Sequence, residues 1–304
     1  MVSIDIAMAT YNGEKYIVEQ INSIINQTVE NWTLYISDDA SRDNTVALIK
    51  ELALVDDRII LINEERQGGV LGNFNKVLEA TKADYVFLAD QDDVWPKNRV
   101  ELLLGEIQKK DKNTDGPMMV YSDLELVDEN LNTIAESFYN SCKIKPLENI
   151  DPINLLWKCS VYGCTTVFNR ALLKKCLPIP SGITMHDNWL ALNAATENGL
   201  FYFDQTTIKY RQHDNNVVGG GRRSFFKKIR YSLVSFRKIL ANREKINNIL
   251  ISSKKIRNND VLNNLNLDDH RSMMFSFNHI LPHVFCDSRR VFSFFNFIGF
   301  LIRK

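Results

Sequence analysis

Along the first 125 residues, short apolar runs alternate with stretches whose apolar positions recur at helical spacing. Ser3 to Ala9 reads as a strand, and Glu14 to Asn26 as a helix carrying Ile17, Ile21, Ile24 and Ile25 on one face. The pattern repeats with a strand at Trp32 to Ser37, a helix at Thr45 to Leu54, a strand at Arg58 to Ile62 and, after Gly68-Gly69, a helix at Gly72 to Thr81. Tyr85 to Ala89 and Met118 to Ser122 read as further strands. Such alternation predicts βαβ units, hence an α/β fold with a Rossmann-like, mostly parallel central sheet flanked by helices. From about 130 to 215 the periodicity weakens, leaving strands at Cys164 to Asn169 and Leu200 to Tyr210 and a helix at Asn188 to Glu197. Past Gly219-Gly220-Gly221 the chain turns basic and helical. That change divides it into a first domain over 1–220 and a C-terminal helical extension over 221–304.

At 304 residues and 45% hydrophobic content the chain can bury a large core. Lys plus Arg and Asp plus Glu balance at 37 each, which gives no reason to expect nucleic acid as a partner. Five cysteines, odd in number and without the paired short spacing of a zinc site, read as reduced thiols of a cytoplasmic protein. Val2 to Met8, interrupted by Ser3 and Asp5, does not read as a signal peptide, and no apolar run is long enough to span a bilayer.

The chemistry concentrates where a strand ends, in Phe87-Leu88-Ala89-Asp90-Gln91-Asp92-Asp93-Val94-Trp95. An extended chain sends alternate side chains to one side, so Asp90 and Asp92 are expected to converge while Asp93 flanks them. Crowded carboxylates call for a cation, and oxygen donors suit Mg2+ or Mn2+. The plain alternative is a solvated acidic turn. Two more polar clusters end strands at the same sheet edge: Thr10-Tyr11-Asn12-Gly13, and Ser37-Asp38-Asp39-Ala40-Ser41-Arg42-Asp43. Strand ends of this kind are where α/β sheets bind ligands.

Taken together, the Thr-Tyr-Asn-Gly turn, the Asp-Asp-Ala-Ser turn and the DxD-type strand end resemble the family 2 glycosyltransferases with a GT-A fold, over roughly residues 1 to 215. The resemblance implies a metal-dependent, inverting transfer from a UDP- or dTDP-sugar. Asp39 would accept the N3–H of uracil or thymine, with Thr10 and Tyr11 lining the nucleoside pocket. Asp90 and Asp92 would serve the donor. Asp92 is the first choice of metal ligand, shared with Asp93 and completed by His213, while Arg211 would pair with a phosphate. Asp187, in Met185-His186-Asp187-Asn188-Trp189, stands where the family usually carries Glu-Asp, and would be the general base. For Asp38, Asp39 and Asp187 the alternative is helix N-capping. Trp95, Trp157, Tyr162, Gly163, Cys164 and Thr165 are acceptor-cleft candidates, and the three glycines at 219–221 would let a loop close over bound donor.

The Asp-Gln-Asp-Asp-Val-Trp and Tyr-Arg-Gln-His strings look most like bacterial rhamnosyltransferase-like members, which makes dTDP-rhamnose the leading donor. The acceptor would be a saccharide or lipid-linked glycan in bacterial surface polysaccharide synthesis. Residues 222–243 combine helical apolar spacing with many basic residues, a pattern that suits an anionic membrane surface on the inner face of the cytoplasmic membrane. The apolar terminus from Val291 to Ile302, about 18 Å long as a helix, is too short to cross and reads as an interfacial anchor, a helix packed on the core, or a homodimer contact. Two other functions compete. A sugar nucleotidyltransferase would need a Gly-rich basic loop that Thr10-Tyr11-Asn12-Gly13 does not supply, and a non-catalytic nucleotide-sugar-binding protein would tolerate loss of Asp187.

Overall fold

Strand β1 (Ile4–Thr10) is buried apart from Ala9, as expected of a central strand covered on both faces. In a computed structural model, which describes residues 2–111, 116–183 and 185–213 and the single positions 248, 277, 280, 281 and 297, it is followed by helix α1 (Ile17–Ile25), β2 (Trp32–Asp38), α2 (Thr45–Ala53), β3 (Ile59–Asn63), α3 (Val70–Ala80) and the fully buried β4 (Tyr85–Ala89). Then come α4 (Arg99–Asp111), β5 (Met119–Val127), β6 (Thr133–Ala135), α5 (Phe138–Cys142), α6 (Pro152–Lys158), β7 (Thr166–Asn169), α7 (Arg170–Cys176), α8 (His186–Ala195) and β8 (Leu200–Arg211).

One sheet holds all of these strands, in the order β3-β2-β1-β4-β7-β5-β6, with β8 pairing β5. The first four strands are mutually parallel, β8 is parallel to β5, and β7 runs antiparallel to both β4 and β5. Alternation along the strands feeds two cores. Ile6, Met8 and Phe87 pack with Ile17 and Ile21 of α1, Ile49 of α2 and Leu103 and Ile107 of α4, while Ala7, Val86 and Leu88 face Phe74 and Val77 of α3, Leu172 of α7 and Trp189 of α8.

The α/β expectation is met, with differences at several elements. Helices α4 and α7 and the short α5, α6 and β6 were not expected. In α4, charged Glu101, Glu106, Lys109 and Lys110 dilute the apolar spacing of Val100, Leu103 and Ile107. Gly163–Thr165 forms a 3-10 turn, so β7 begins two residues later than the pattern suggested. Glycines 219–221, the basic stretch over 222–243 and most of the chain beyond lie outside the described residues. Ile280 and Phe297 are buried in the apolar cluster that contains Leu172, Trp189 and Leu190, so at these two positions the chain packs on the core. Among the described residues, no helix is long and apolar enough to cross a membrane.

Candidate active site

Parallel pairing aligns Thr10 with Asp38 and Met8 with Ala89, which brings the ends of β1, β2 and β4 to one sheet edge. There the Thr10 hydroxyl donates to Asp38 Oδ2 at 2.7 Å, and Asp38 also accepts from the Ser41 amide at 2.7 Å and its hydroxyl at 2.6 Å. Asp38 therefore builds the turn. Asp39, followed by the left-handed Ala40 (φ 63), reaches across to the loop before α3. Its carboxylate accepts the amides of Gln67, Gly68 (3.0 Å) and Gly69 (2.9 Å), where both glycines have positive φ. A carboxylate has about four lone-pair sites, so one acceptor direction of Asp39 is left. Neither residue caps α2; Asn44 precedes that helix, and Asp43 accepts the Thr45 amide at 3.0 Å.

The turn after β1 presents Tyr11, which is 48% exposed. It is tied to the acid turn by Gln91, whose Oε1 accepts the Tyr11 amide at 2.8 Å and whose Nε2 donates to the Tyr11 carbonyl at 3.0 Å.

The acidic run is arranged differently from the expectation. Because β4 stops at Ala89 and Gln91-Asp92 turn, alternation no longer applies. Asp90 converges instead with Asp93 and the Cys164 thiol, all ligand atoms lying within 4.8 Å of one another. Burial, then the charges of Asp92 and Asp187, push Asp90 up to about 7. Burial with the charges of Asp92 and Asp90 raises the fully buried Asp93 well above the usual carboxylate range, and its Oδ2 has no hydrogen-bond partner among the described residues. Beneath them lies Arg99, also fully buried, pulled down to about 10 by burial. Its guanidinium donates to Thr207 and to the Cys164 carbonyl and stands 4.5 Å from the Trp95 ring centroid.

Asp92 lies beside His213, with Oδ2 and Nε2 2.9 Å apart, while its charge still bears on Asp90 and Asp93. Arg211 is 2% exposed, and its nitrogens bond the Asp92 carbonyl (3.0 Å), the Glu129 carbonyl (2.5 Å) and Glu19 (2.5 Å). It stands as a buried strut between β8, α1 and the acid turn, a different place from the phosphate partner expected of it.

Asp187 lies in the first turn of α8, whose N-cap is Met185, so it is not the cap. It accepts the Asn188 amide at 2.7 Å and the Gly163 amide at 3.1 Å, and its charge is felt by Asp90. Beside it, His186 is 4% exposed, stacks on Phe74 with centroids 3.8 Å apart, and has no hydrogen-bond partner for either ring nitrogen among the described residues. Burial lowers its pKa.

A divalent cation fits this chemistry. An orphaned buried carboxylate oxygen on Asp93, two further acids and an imidazole meet at one sheet edge, and the thiol adds a softer donor. Of the expected trio, Asp92 is bonded to His213, and Asp93 lies with Asp90 and Cys164 within reach of the Asp92 charge. Sequence reasoning missed Arg99, Gln91 and His186. Only Gln91 carried a signal, its place between two acids. Of the acceptor-cleft candidates, Trp95, Cys164 and Thr165 are buried, and Tyr162 packs edge-on against Phe138 at 5.3 Å; the Trp157 side chain lies outside the described residues.

The sequence matches the family described as Glycosyl transferase family 2 over residues 5–177. It is 32% identical over 228 residues to the dTDP-rhamnosyl transferase RfbG of Shigella flexneri, covering 70% of this chain and 73% of the relative. It is 31% identical over 216 residues to the Escherichia coli enzyme named UDP-Glc:alpha-D-GlcNAc-diphosphoundecaprenol beta-1,3-glucosyltransferase WfgD, covering 70% and 79%. Among solved structures, S. aureus TarS 1–349 in complex with UDP-GlcNAc superposes with a TM-score of 0.56 at 16% identity, over 98% of this chain and 89% of that one. The mannosyltransferase PcManGT from Pyrobaculum calidifontis, in complex with GDP-Man and Mn2+, gives 0.57 at 14%, over 98% and 86%. At those identities the structures share the fold.

Proposed function

The chain belongs to glycosyl transferase family 2 and is a glycosyltransferase; on that premise we propose that it is metal-dependent and inverting, moving a sugar from a UDP- or dTDP-sugar to a saccharide or lipid-linked acceptor in bacterial surface polysaccharide synthesis. The observation that carries this reading is that Asp187, which does not cap α8, accepts the amide of Gly163, the residue before the Cys164 that clusters with Asp90 and Asp93. The residue proposed as base then lies within electrostatic reach of an acid proposed to serve the donor and metal.

In this reading the donor base lies against Tyr11, and its N3–H goes to the remaining acceptor direction of Asp39. Asp92 and His213 would hold the divalent ion, with Asp90 and Asp93 close by. When bound, Mg2+ or Mn2+ supplies Lewis-acid neutralisation of the departing nucleoside diphosphate. Asp187 Oδ takes the proton from the acceptor hydroxyl as its oxygen attacks the anomeric carbon on the face opposite the diphosphate. One displacement inverts that carbon. Arg99 places a permanent positive charge under the acids, and Arg211 fixes the Asp92 backbone.

Two relatives whose names specify dTDP-rhamnosyl and UDP-glucosyl transfer support a pyrimidine donor, and dTDP-rhamnose is the first to test. A lipid-linked acceptor would bring the enzyme to the inner face of the cytoplasmic membrane, with residues 1–220 as the catalytic unit and the basic stretch over 222–243 as the part that would meet that surface. The test combines thermal shift against UDP- and dTDP-sugars, with and without Mn2+, and transfer to a synthetic lipid-diphosphate-linked N-acetylglucosamine. Asp187→Asn should keep Mn2+-dependent nucleotide binding and lose transfer; transfer by that variant at a near-normal rate would remove Asp187 as base.

A further inference from the structure

We propose that Gln91 is a positioning residue that makes the nucleoside half and the metal half of the donor site act as one unit. The inference rests on the reading above, in which Tyr11 and Asp39 meet the nucleoside and Asp92 meets the metal. Gln91 is the residue between Asp90 and Asp92, yet its side chain leaves the acid turn and pairs with the backbone of the neighbouring one. The Tyr11 amide donates to Gln91 Oε1 at 2.8 Å, and Gln91 Nε2 donates to the Tyr11 carbonyl at 3.0 Å. A side-chain amide here reproduces one rung of a β ladder, satisfying donor and acceptor of the same residue together.

The rest of each turn is anchored elsewhere. On the β2 side, the Asn12 amide donates to Ser41 Oγ at 2.8 Å, the Arg42 amide to Asn12 Oδ1 at 2.9 Å and the Gly13 amide to Thr45 Oγ1 at 2.7 Å. The Asp90 carbonyl is held from α1 by Gln20 Nε2 at 2.9 Å. Each turn thus has its own support, and the Gln91 pair bridges them. A nucleoside that fixes Tyr11 thereby fixes the backbone on either side of Gln91, which is the backbone of Asp90 and Asp92. A divalent ion that fixes Asp92 stiffens Tyr11 in return, as linkage requires.

Gly13 gives an independent handle on the same pair. It is not among the residues with positive φ, so its backbone does not demand glycine. A Cβ there would lie 2.4 Å from Gln91 Oε1 and 2.6 Å from Gln91 Cδ. The space left by the missing side chain is where the amide sits. Gly13→Ala should displace the flexible end of Gln91 and break the bridge from the other side.

Isothermal titration of the full chain with dTDP and with UDP, each with and without Mn2+, measures the coupling as the ratio of the two dissociation constants. In the wild type Mn2+ should tighten nucleotide binding. In Gln91→Met, which keeps the length and loses both hydrogen bonds, and in Gly13→Ala, that enhancement should fall about fivefold or more. Because both act through one bridge, the double variant should be no worse than either single within about twofold. A role confined to fold stability would lower the melting temperature and weaken nucleotide binding equally in both conditions; an unchanged ratio in Gln91→Met overturns the proposal. Independent, multiplying losses in the double variant overturn it as well. Should Gly13→Ala fail to fold, Gln91→Met decides. A wild type whose nucleotide affinity ignores Mn2+ sinks the donor-and-metal reading itself, and the coupling with it.

Discussion

Asp92 Oδ2 and His213 Nε2 stand 2.9 Å apart, although 121 residues separate them in the chain. One lies in the turn after β4 and the other just past β8, and the two elements are joined by antiparallel bridging between Val94 and Lys209 and by the bond from the Arg211 amide to Asp93. The His213 ring also packs on Tyr16 at 5.1 Å, which restricts its orientation. Under the proposed function, these two side chains are the ones that would ligate the divalent ion.

His213→Ala should therefore weaken Mn2+ binding about tenfold or more, and Asp92→Asn at least as much. Calorimetric titration of Mn2+ into the nucleotide-bound protein checks both. Undiminished affinity in both variants would move the ion to Asp90, Asp93 and Cys164, the other cluster at this edge.

Asp90 and Asp93 make the metal-free protein sensitive to pH in an unusual direction. Both carboxyls are raised in the folded state, Asp90 to about 7, by burial and by neighbouring acids. Between the ordinary carboxylate value and pH 7, the unfolded chain loses these protons while the folded one keeps them, so their contribution to stability declines as pH rises. Thermal melting without metal should fall from pH 5 to pH 8, and Mn2+ should raise it more at pH 8 than at pH 5. Asp90→Asn should flatten both trends; a slope unaltered by that change would assign it to other groups.

Much of this arrangement was legible because strand ends are local. β4 was bounded correctly at Tyr85 and Ala89 from five consecutive apolar residues, and the polar turns after β1, β2 and β4 meet because parallel pairing forces them to. Partners that depend on distant packing were not legible. Arg99 opens a helix whose charged face hid its period, and nothing in the string near it names Thr207 or the Cys164 carbonyl as its acceptors. The pairing of Asp92 with His213 could not be read either, since it depends on β8 returning to the acid turn, where Val94 bridges to Lys209. Arg211, expected to face a phosphate, is drawn inward by Glu19 and two carbonyls supplied from elsewhere in the chain.

Arg99 is fully buried, and its charge partly offsets Asp93 while its forked nitrogens satisfy Thr207 and the Cys164 carbonyl. Arg99→Met retains bulk but leaves buried acceptors and acids uncompensated, a change that typically costs about 3–5 kcal/mol. Urea denaturation should register a loss of that order. A loss under about 1 kcal/mol would mean that Arg99 is not the counter-charge of the acid cluster.

His186 poses the opposite case, a buried polar ring whose two nitrogens have no partner while its face stacks on Phe74 at 3.8 Å. Each unsatisfied buried group costs about 1–3 kcal/mol. His186→Phe keeps a ring on Phe74 and deletes both nitrogens, so the variant should melt no lower than the wild type. Burial lowers the imidazole pKa, so the folded state binds its proton later than the unfolded chain as pH falls, and stability is lost below the ordinary histidine value. His186→Phe should remove that acid-side loss, leaving the slope due to Asp90 and Asp93 intact. A drop in melting temperature would instead show that the nitrogens are satisfied by an ordered water, because Phe would then discard real hydrogen bonds.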